Sequence, residues 1–143
     1  MTSKKTILCV DDDQSLSIHK VMLETRGYRV ATCNTAIEAI EFFRRGKVDL
    51  MLSRVELPDA PAEDLVRQIK VLFPEIPVIL LSAQISAFHT DAPVDLLLRK
   101  GTYAPVELLE RIRFLLVKRR GPRHPRGAPM PVDAFTSVPL ARI

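Results

Sequence analysis

Cysteine is scarce in this 143-residue chain: Cys9 and Cys33 are the only two, each inside an apolar run and neither in a CxxC or metal-type spacing. Their placement argues against metal binding and for reduced core thiols, and it places the chain in the cytoplasm. Histidine is nearly as sparse. His19, His89 and His124 have no second ligand at usable spacing, so no metal role is expected of them. His19, among apolar residues, reads as a helix-packing or surface histidine rather than a phosphodonor site. Long apolar runs are missing too: none approaches the ~18 residues that span a bilayer. The opening stretch Met1 to Thr6 is polar, so neither export nor membrane insertion is indicated. The length suits one domain with a substantial core and leaves no room for a second catalytic domain.

What is present is unevenly distributed. The formal net charge is +4, yet Lys118 to Ile143 carries six basic residues against Asp133 alone, leaving 15 basic and 16 acidic residues for positions 1–117. The globular body is therefore close to neutral and the basic character belongs to the tail. In the body, Ile7 to Val10 is an apolar run that stops at Asp11, Asp12 and Asp13. Apolar residues ending at a carboxylate cluster read as a buried parallel strand opening into a site, with a solvated acidic loop as the plainer alternative. Three adjacent negative charges need water, a cation or a basic side chain to answer them.

The rest of the chain alternates. Gln14 to Arg26 is a helix candidate with Leu16, Met22 and Leu23 apolar and Gly27 as its C′ residue, and Asp13 is the expected cap. Tyr28 to Cys33 is a second strand. Thr35 and Glu38 have capping-box spacing for a helix with Ile37, Ile40 and Phe43 inward. Val48 to Ser53 is a third strand, and Leu65, Ile69, Leu72 and Phe73 form the apolar stripe of the helix after it. Pro77 to Leu81 and Val94 to Leu98 are the last two strands. Pro105 then opens a helix with Leu108, Leu109, Ile112, Leu115 and Leu116 inward. Only Ala83 to Pro93 separates strands four and five, too short for a full crossover helix, so a shortened or irregular element anchored by Ile85 and Phe88 is expected there. Apolar strands alternating with amphipathic helices predict an α/β fold with a five-stranded, doubly wound parallel sheet in the order 2-1-3-4-5. Asp11 and Asp12 then face Arg54 at the switch point, with Ser82 and Lys100 on neighbouring strand ends.

These residues resemble the receiver domain of two-component response regulators, a flavodoxin-like fold, over positions 5 to about 118. The resemblance rests on ordered motifs: ILCVDDD at 7–13, DLMLSRVELP at 49–58, PVILLSA at 77–83, and Lys100 with Pro105, Glu107 and Leu108. It implies a receiver-like domain over residues 1–118; residues 119–143, by composition, are a basic Pro/Arg-rich tail expected to be disordered or extended. It also implies a role for each matching position. Asp11 and Asp12 match the family's magnesium-holding acid pair, Ser82 its hydroxyl residue, Lys100 its phosphate-contacting lysine, and Leu97 its aromatic switch position.

The position of the phosphoacceptor aspartate is Arg54. Guanidinium has no acceptor lone pair, so it neither attacks a phosphohistidine nor ligates a metal. Three aspartates and a lysine would leave two negative charges for Mg²⁺, whereas Asp11, Asp12, Arg54 and Lys100 sum to zero. Weak or absent Mg²⁺ binding is expected, with no cofactor. Arg54 is expected to pair with Asp11 or Asp12. Leu97 and Gly101 also depart from the family pattern, since leucine cannot exchange polar contacts as tyrosine does and Lys100-Gly101 lacks the low cis cost of a prolyl bond.

The resulting expectation is a stand-alone pseudo-receiver. It would have no enzyme activity and would act by binding a protein partner, such as a histidine kinase or another signalling protein. Ser53, Glu56 and Asp59 are candidate substitute acceptors, although Ser53 should face the other side of its strand. A haloacid-dehalogenase-like phosphatase with Asp11 as nucleophile and Asp13 as acid or base is a distant alternative. The helix starting directly after the aspartates leaves no room for its flap. The basic tail could contact nucleic acid phosphates, but it lacks a recognition helix and has a single aromatic, Phe135. A solubilising or docking tail is the competing reading, with Val138 to Ile143 as a weak docking signal.

Overall fold

The apolar runs form parallel strands covered on both faces. The computed structural model describes residues 4–82, 91–99 and 105–120, with side chains described through Val117. The elements in chain order are β1 (Thr6–Val10), α1 (Asp13–Thr25), β2 (Arg29–Cys33), α2 (Ala36–Arg45), β3 (Leu50–Arg54), α3 (Ala62–Leu72), β4 (Val78–Ser82), β5 (Leu96–Arg99) and α4 (Pro105–Arg120). The five strands are parallel and ordered β2-β1-β3-β4-β5, as the alternation predicts.

Strand pleating divides the core in two. Leu8, Val10, Met51, Val78, Leu80 and Leu97 face α2 and α3, whereas Ile7, Cys9, Leu50, Leu52, Ile79 and Leu81 face α1 and α4. α4 buries Leu108, Leu109, Ile112, Leu115 and Leu116 as predicted, and α1 buries Leu16, His19 and Leu23. Gly27 follows α1 with φ +93°, a conformation glycine adopts without steric cost.

Two helix faces differ from the predicted stripes. In α2 the inward residues are Ala36, Ala39 and Phe43, while Ile37 is 67% exposed and Ile40 is only partly buried. In α3 they are Ala62, Leu65, Val66 and Ile69, whereas Leu72 is 58% exposed. The alanines, too small to mark an apolar stripe by size, belong to the same core as Leu8, Val10 and Met51. Phe73, beyond the end of α3, packs its ring 5.6 Å from that of Phe43 and joins the two helices.

Carboxylates fasten the edge of the sheet where the strands begin. Asp49, almost fully buried, accepts from Thr6 N at 2.8 Å and so ties the start of β3 to β1. Asp95 does the same for β4, accepting from Val78 N at 2.7 Å and from Lys70 Nζ at 3.0 Å. Cys9 and Cys33 are buried free thiols, and burial, more than any neighbouring charge, pushes both up to about 12. The predicted short element with Ile85 and Phe88 and residues 121–143 of the tail lie outside the described residues, whereas Arg119 and Arg120, assigned to the tail, instead continue α4, because the helix runs on past its last apolar residue.

Candidate functional site

The opposite edge of the sheet, where the strands end, gathers the charged residues. β1 and β3 are neighbours, with Val10 paired to Ser53 in register, so the next residues, Asp11 and Arg54, emerge side by side. Arg54 Nε stands 3.9 Å from Asp11 Oδ1, and its Nη1 stands 3.9 Å from Asp12 Oδ2. The guanidinium spans both carboxylates at ion-pair rather than hydrogen-bond distance.

Each carboxylate has additional work. Asp11 Oδ1 accepts from Asp12 N at 2.7 Å, which folds the chain tightly after β1. Asp12 is the N-cap of α1, accepting from Ser15 N at 2.9 Å. The expected cap, Asp13, is instead the first helical residue. Its Oδ1 accepts from Asn34 Nδ2 at 2.9 Å, and the same amide donates to Asp11 O at 3.0 Å. The correction follows from the length of the turn: the chain enters helical geometry one residue earlier than the apolar pattern indicates. α1 thus begins immediately after the acid pair, with no intervening segment for a flap.

The loop from Val55 to Pro61 is folded on itself. Val55 N donates to Leu81 O, Leu57 N to Ala60 O and Ala62 N to Val55 O, while Glu56 and Pro61 form an isolated antiparallel bridge. Leu57 is buried beneath it and Glu56 is exposed. Asp59, at the tip, reaches α2: its two oxygens accept from Ala36 N at 2.9 Å and Ile37 N at 3.1 Å. The Ala36 N–H, and after it that of Ile37, hold the Asp59 carboxyl below its ordinary value against an opposing effect of burial.

The remaining site positions separate into three groups. Ser82 ends β4 in a buried position, in register with Arg99. Leu97 is buried in the core facing α2 and α3, paired with Leu80. Ser53 is fully buried and its register partners Val10 and Leu80 belong to that same core; its hydroxyl donates to Arg54 O at 2.8 Å. Lys100 and Gly101 lie outside the described residues. Among the described residues, no group of three or more His, Cys, Asp or Glu side chains is placed to hold a metal ion, and no helix is long and apolar enough to cross a membrane.

Asn34 was not among the sequence candidates, and Asp59 was one in a different role. Asn34 stands directly before the capping box at Thr35, a local signal for a helix start but not for contact with Asp11 and Asp13, which lie 23 and 21 residues earlier.

This geometry has relatives. The chain is 29% identical over 140 residues to the DNA-binding transcriptional regulator NtrC of Bradyrhizobium sp. (strain RP501 Parasponia), covering 94% of this chain and 28% of that protein. It is 28% identical over 141 residues to the response regulator SaeR of Staphylococcus aureus (strain USA300), covering 96% of this chain and 61% of that protein. The chain thus spans less than two thirds of either relative. Among solved structures, a CheY-like response regulator receiver domain protein from Methanospirillum hungatei JF-1 superimposes with a TM-score of 0.75 at 31% identity, over 82% of this chain and 98% of that one. A sequence profile of the response regulator receiver domain matches residues 7–99, from the first buried strand to the end of the last, and the chain belongs to that family.

Proposed function

We propose that this receiver domain is a pseudo-receiver, one that is not phosphorylated at the family's acceptor position and that acts in the cytoplasm by binding a protein partner, such as a histidine kinase or another signalling protein. The observation that carries the reading is Arg54, whose guanidinium lies 3.9 Å from both Asp11 and Asp12. At the strand end where the family keeps its acceptor carboxylate, the chain presents a permanent cation that has no lone pair for a phosphoryl group.

Magnesium does not suit this donor set. The two carboxylates that would hold it face a guanidinium, and the third carboxylate is replaced. Mg²⁺ depends on each of its few protein carboxylates, so its binding is weak or absent. The substitute acceptors are also engaged or exposed elsewhere: Ser53 donates to Arg54 O, both Asp59 oxygens hold the α2 backbone, and Glu56 is exposed on the loop.

Incubation with acetyl phosphate and Mg²⁺, followed by intact-mass measurement, tests the reading. The natural chain should gain no phosphoryl adduct, and an Arg54→Asp variant should gain one. A stoichiometric adduct on the natural chain overturns it.

A further inference from the structure

The loops after β1, β2 and β3 are joined by side chains that bond to one another's backbone. From Arg54 the chain runs through the folded loop to Asp59, which holds Ala36 N and Ile37 N at the start of α2. That first turn is capped from its own side as well, with Thr35 Oγ1 accepting from Glu38 N and Glu38 Oε1 accepting from Asn34 N. Asn34 then reaches across to Asp11 O and Asp13 Oδ1, and Asp11 returns to Arg54. The contacts close a circuit whose shared member is the opening turn of α2.

We propose that Asp59 and Asn34 are positioning residues for Arg54: together they close a ring of contacts through the first turn of α2 that holds the guanidinium against Asp11 and Asp12. Arg54 is 37% exposed and makes ion pairs longer than hydrogen bonds, so its own contacts fix it only loosely. Its direction is set by where the Val55 to Pro61 loop and the Asp11 turn stand relative to each other. Asp59 anchors the first to the start of α2, and Asn34, just before the α2 N-cap, anchors the second. Charge-assisted hydrogen bonds such as those to Asp59 are stronger than neutral ones. Ile37, exposed on the same turn, gives a partner a place from which a displacement of α2 would be felt at Arg54.

This inference deepens the pseudo-receiver reading and rests on it only in taking Arg54 as the residue the domain keeps in place. The experiment is nitrogen-15 NMR of the full chain, following the Arg54 Nε–H resonance, assigned with Arg54→Lys, and the exchange of the Val55 and Leu57 amides. Asp59→Ala and Asn34→Ala should each shift the Arg54 resonance, and Asp59→Ala, which removes two hydrogen bonds to a charged group, should speed exchange at Val55 and Leu57 by at least about tenfold. Asp59→Asn, which keeps one carbonyl acceptor, should restore part of the shift. Because either cut opens a ring, the double variant should shift Arg54 no further than the larger single.

An unmoved Arg54 resonance in Asn34→Ala, or in Asp59→Ala with Ala36 and Ile37 loosened, reduces these residues to local caps and overturns the proposal, as do additive shifts. Should Asp59→Ala fail to fold, Asn34→Ala and Asp59→Asn carry the test. A phosphoryl adduct on the natural chain would overturn the pseudo-receiver reading without touching these resonances, so the two failures are distinguishable.

Discussion

Arg54 stands between two carboxylates of unequal burial, 3.9 Å from an Asp11 side chain that is 3% exposed and 3.9 Å from an Asp12 side chain that is 54% exposed. The two pairs differ in worth. An exposed pair such as that with Asp12 contributes about 0–1 kcal/mol, whereas removing a cation beside a buried carboxylate costs more. Arg54 is therefore held chiefly by Asp11, and Asp12 serves mainly as the cap of α1.

Replacing Arg54 separates these effects. Arg54→Ala should lower stability by more than about 1 kcal/mol, and Arg54→Asp by more still, because it places a third carboxylate beside Asp11 and Asp12. Mg²⁺ should then raise the thermal midpoint of Arg54→Asp and leave that of the natural chain unchanged, since a ligand stabilises only the state that binds it. Thermal unfolding with and without MgCl₂ measures both, and an equal rise in the two proteins would contradict the expectation.

Asp59 has a pH signature. Its carboxyl is held below its ordinary value in the folded chain, so it contributes stability that is present above the unfolded value and lost as pH falls through the folded one. The stability difference between the natural chain and Asp59→Asn should be constant above about pH 5 and shrink below about pH 4. Urea unfolding across that range gives the profile, and a difference that stays level down to pH 3 would mean the α2 contacts do not favour the charged form.

The two aromatic and aliphatic candidates on α2 should behave oppositely. Phe43→Ala removes a buried ring that packs at a tilt against Phe73 and should cost about 3–5 kcal/mol. Ile37→Ser, at an exposed position, should fall within about 0.5 kcal/mol of the natural chain. Denaturant midpoints decide it. A large loss at Ile37 would show that its side chain is packed rather than available to a partner.

The cysteines should be silent in the folded protein. With both thiols buried and pushed up to about 12, a thiol reagent at pH 8 should label neither until denaturant unfolds the chain. Rapid labelling of Cys9 under native conditions would mean that β1 opens far more readily than its burial implies.

The sequence by itself determined the parallel sheet and its strand order, because continuous apolar runs alternating with amphipathic helices leave few other ways to bury both kinds of surface. It also set a cation against the acid pair, since Arg54 directly follows the third apolar run and the strand order lays that run beside the one ending at Asp11. Helix faces were legible where large residues recur, as in α4, and in part in α2 and α3, where Phe43, Leu65 and Ile69 are buried as expected but the small Ala36, Ala39 and Ala62 join them while Ile37 and Leu72 stay outside. Only the tertiary structure decided that Asp12 rather than Asp13 caps α1, which depends on the tightness of one turn. It alone decided that Asn34 and Asp59 sew three loops together. Those contacts span 21 to 23 residues, and no local pattern announces a hydrogen bond whose partners meet only when the strands align.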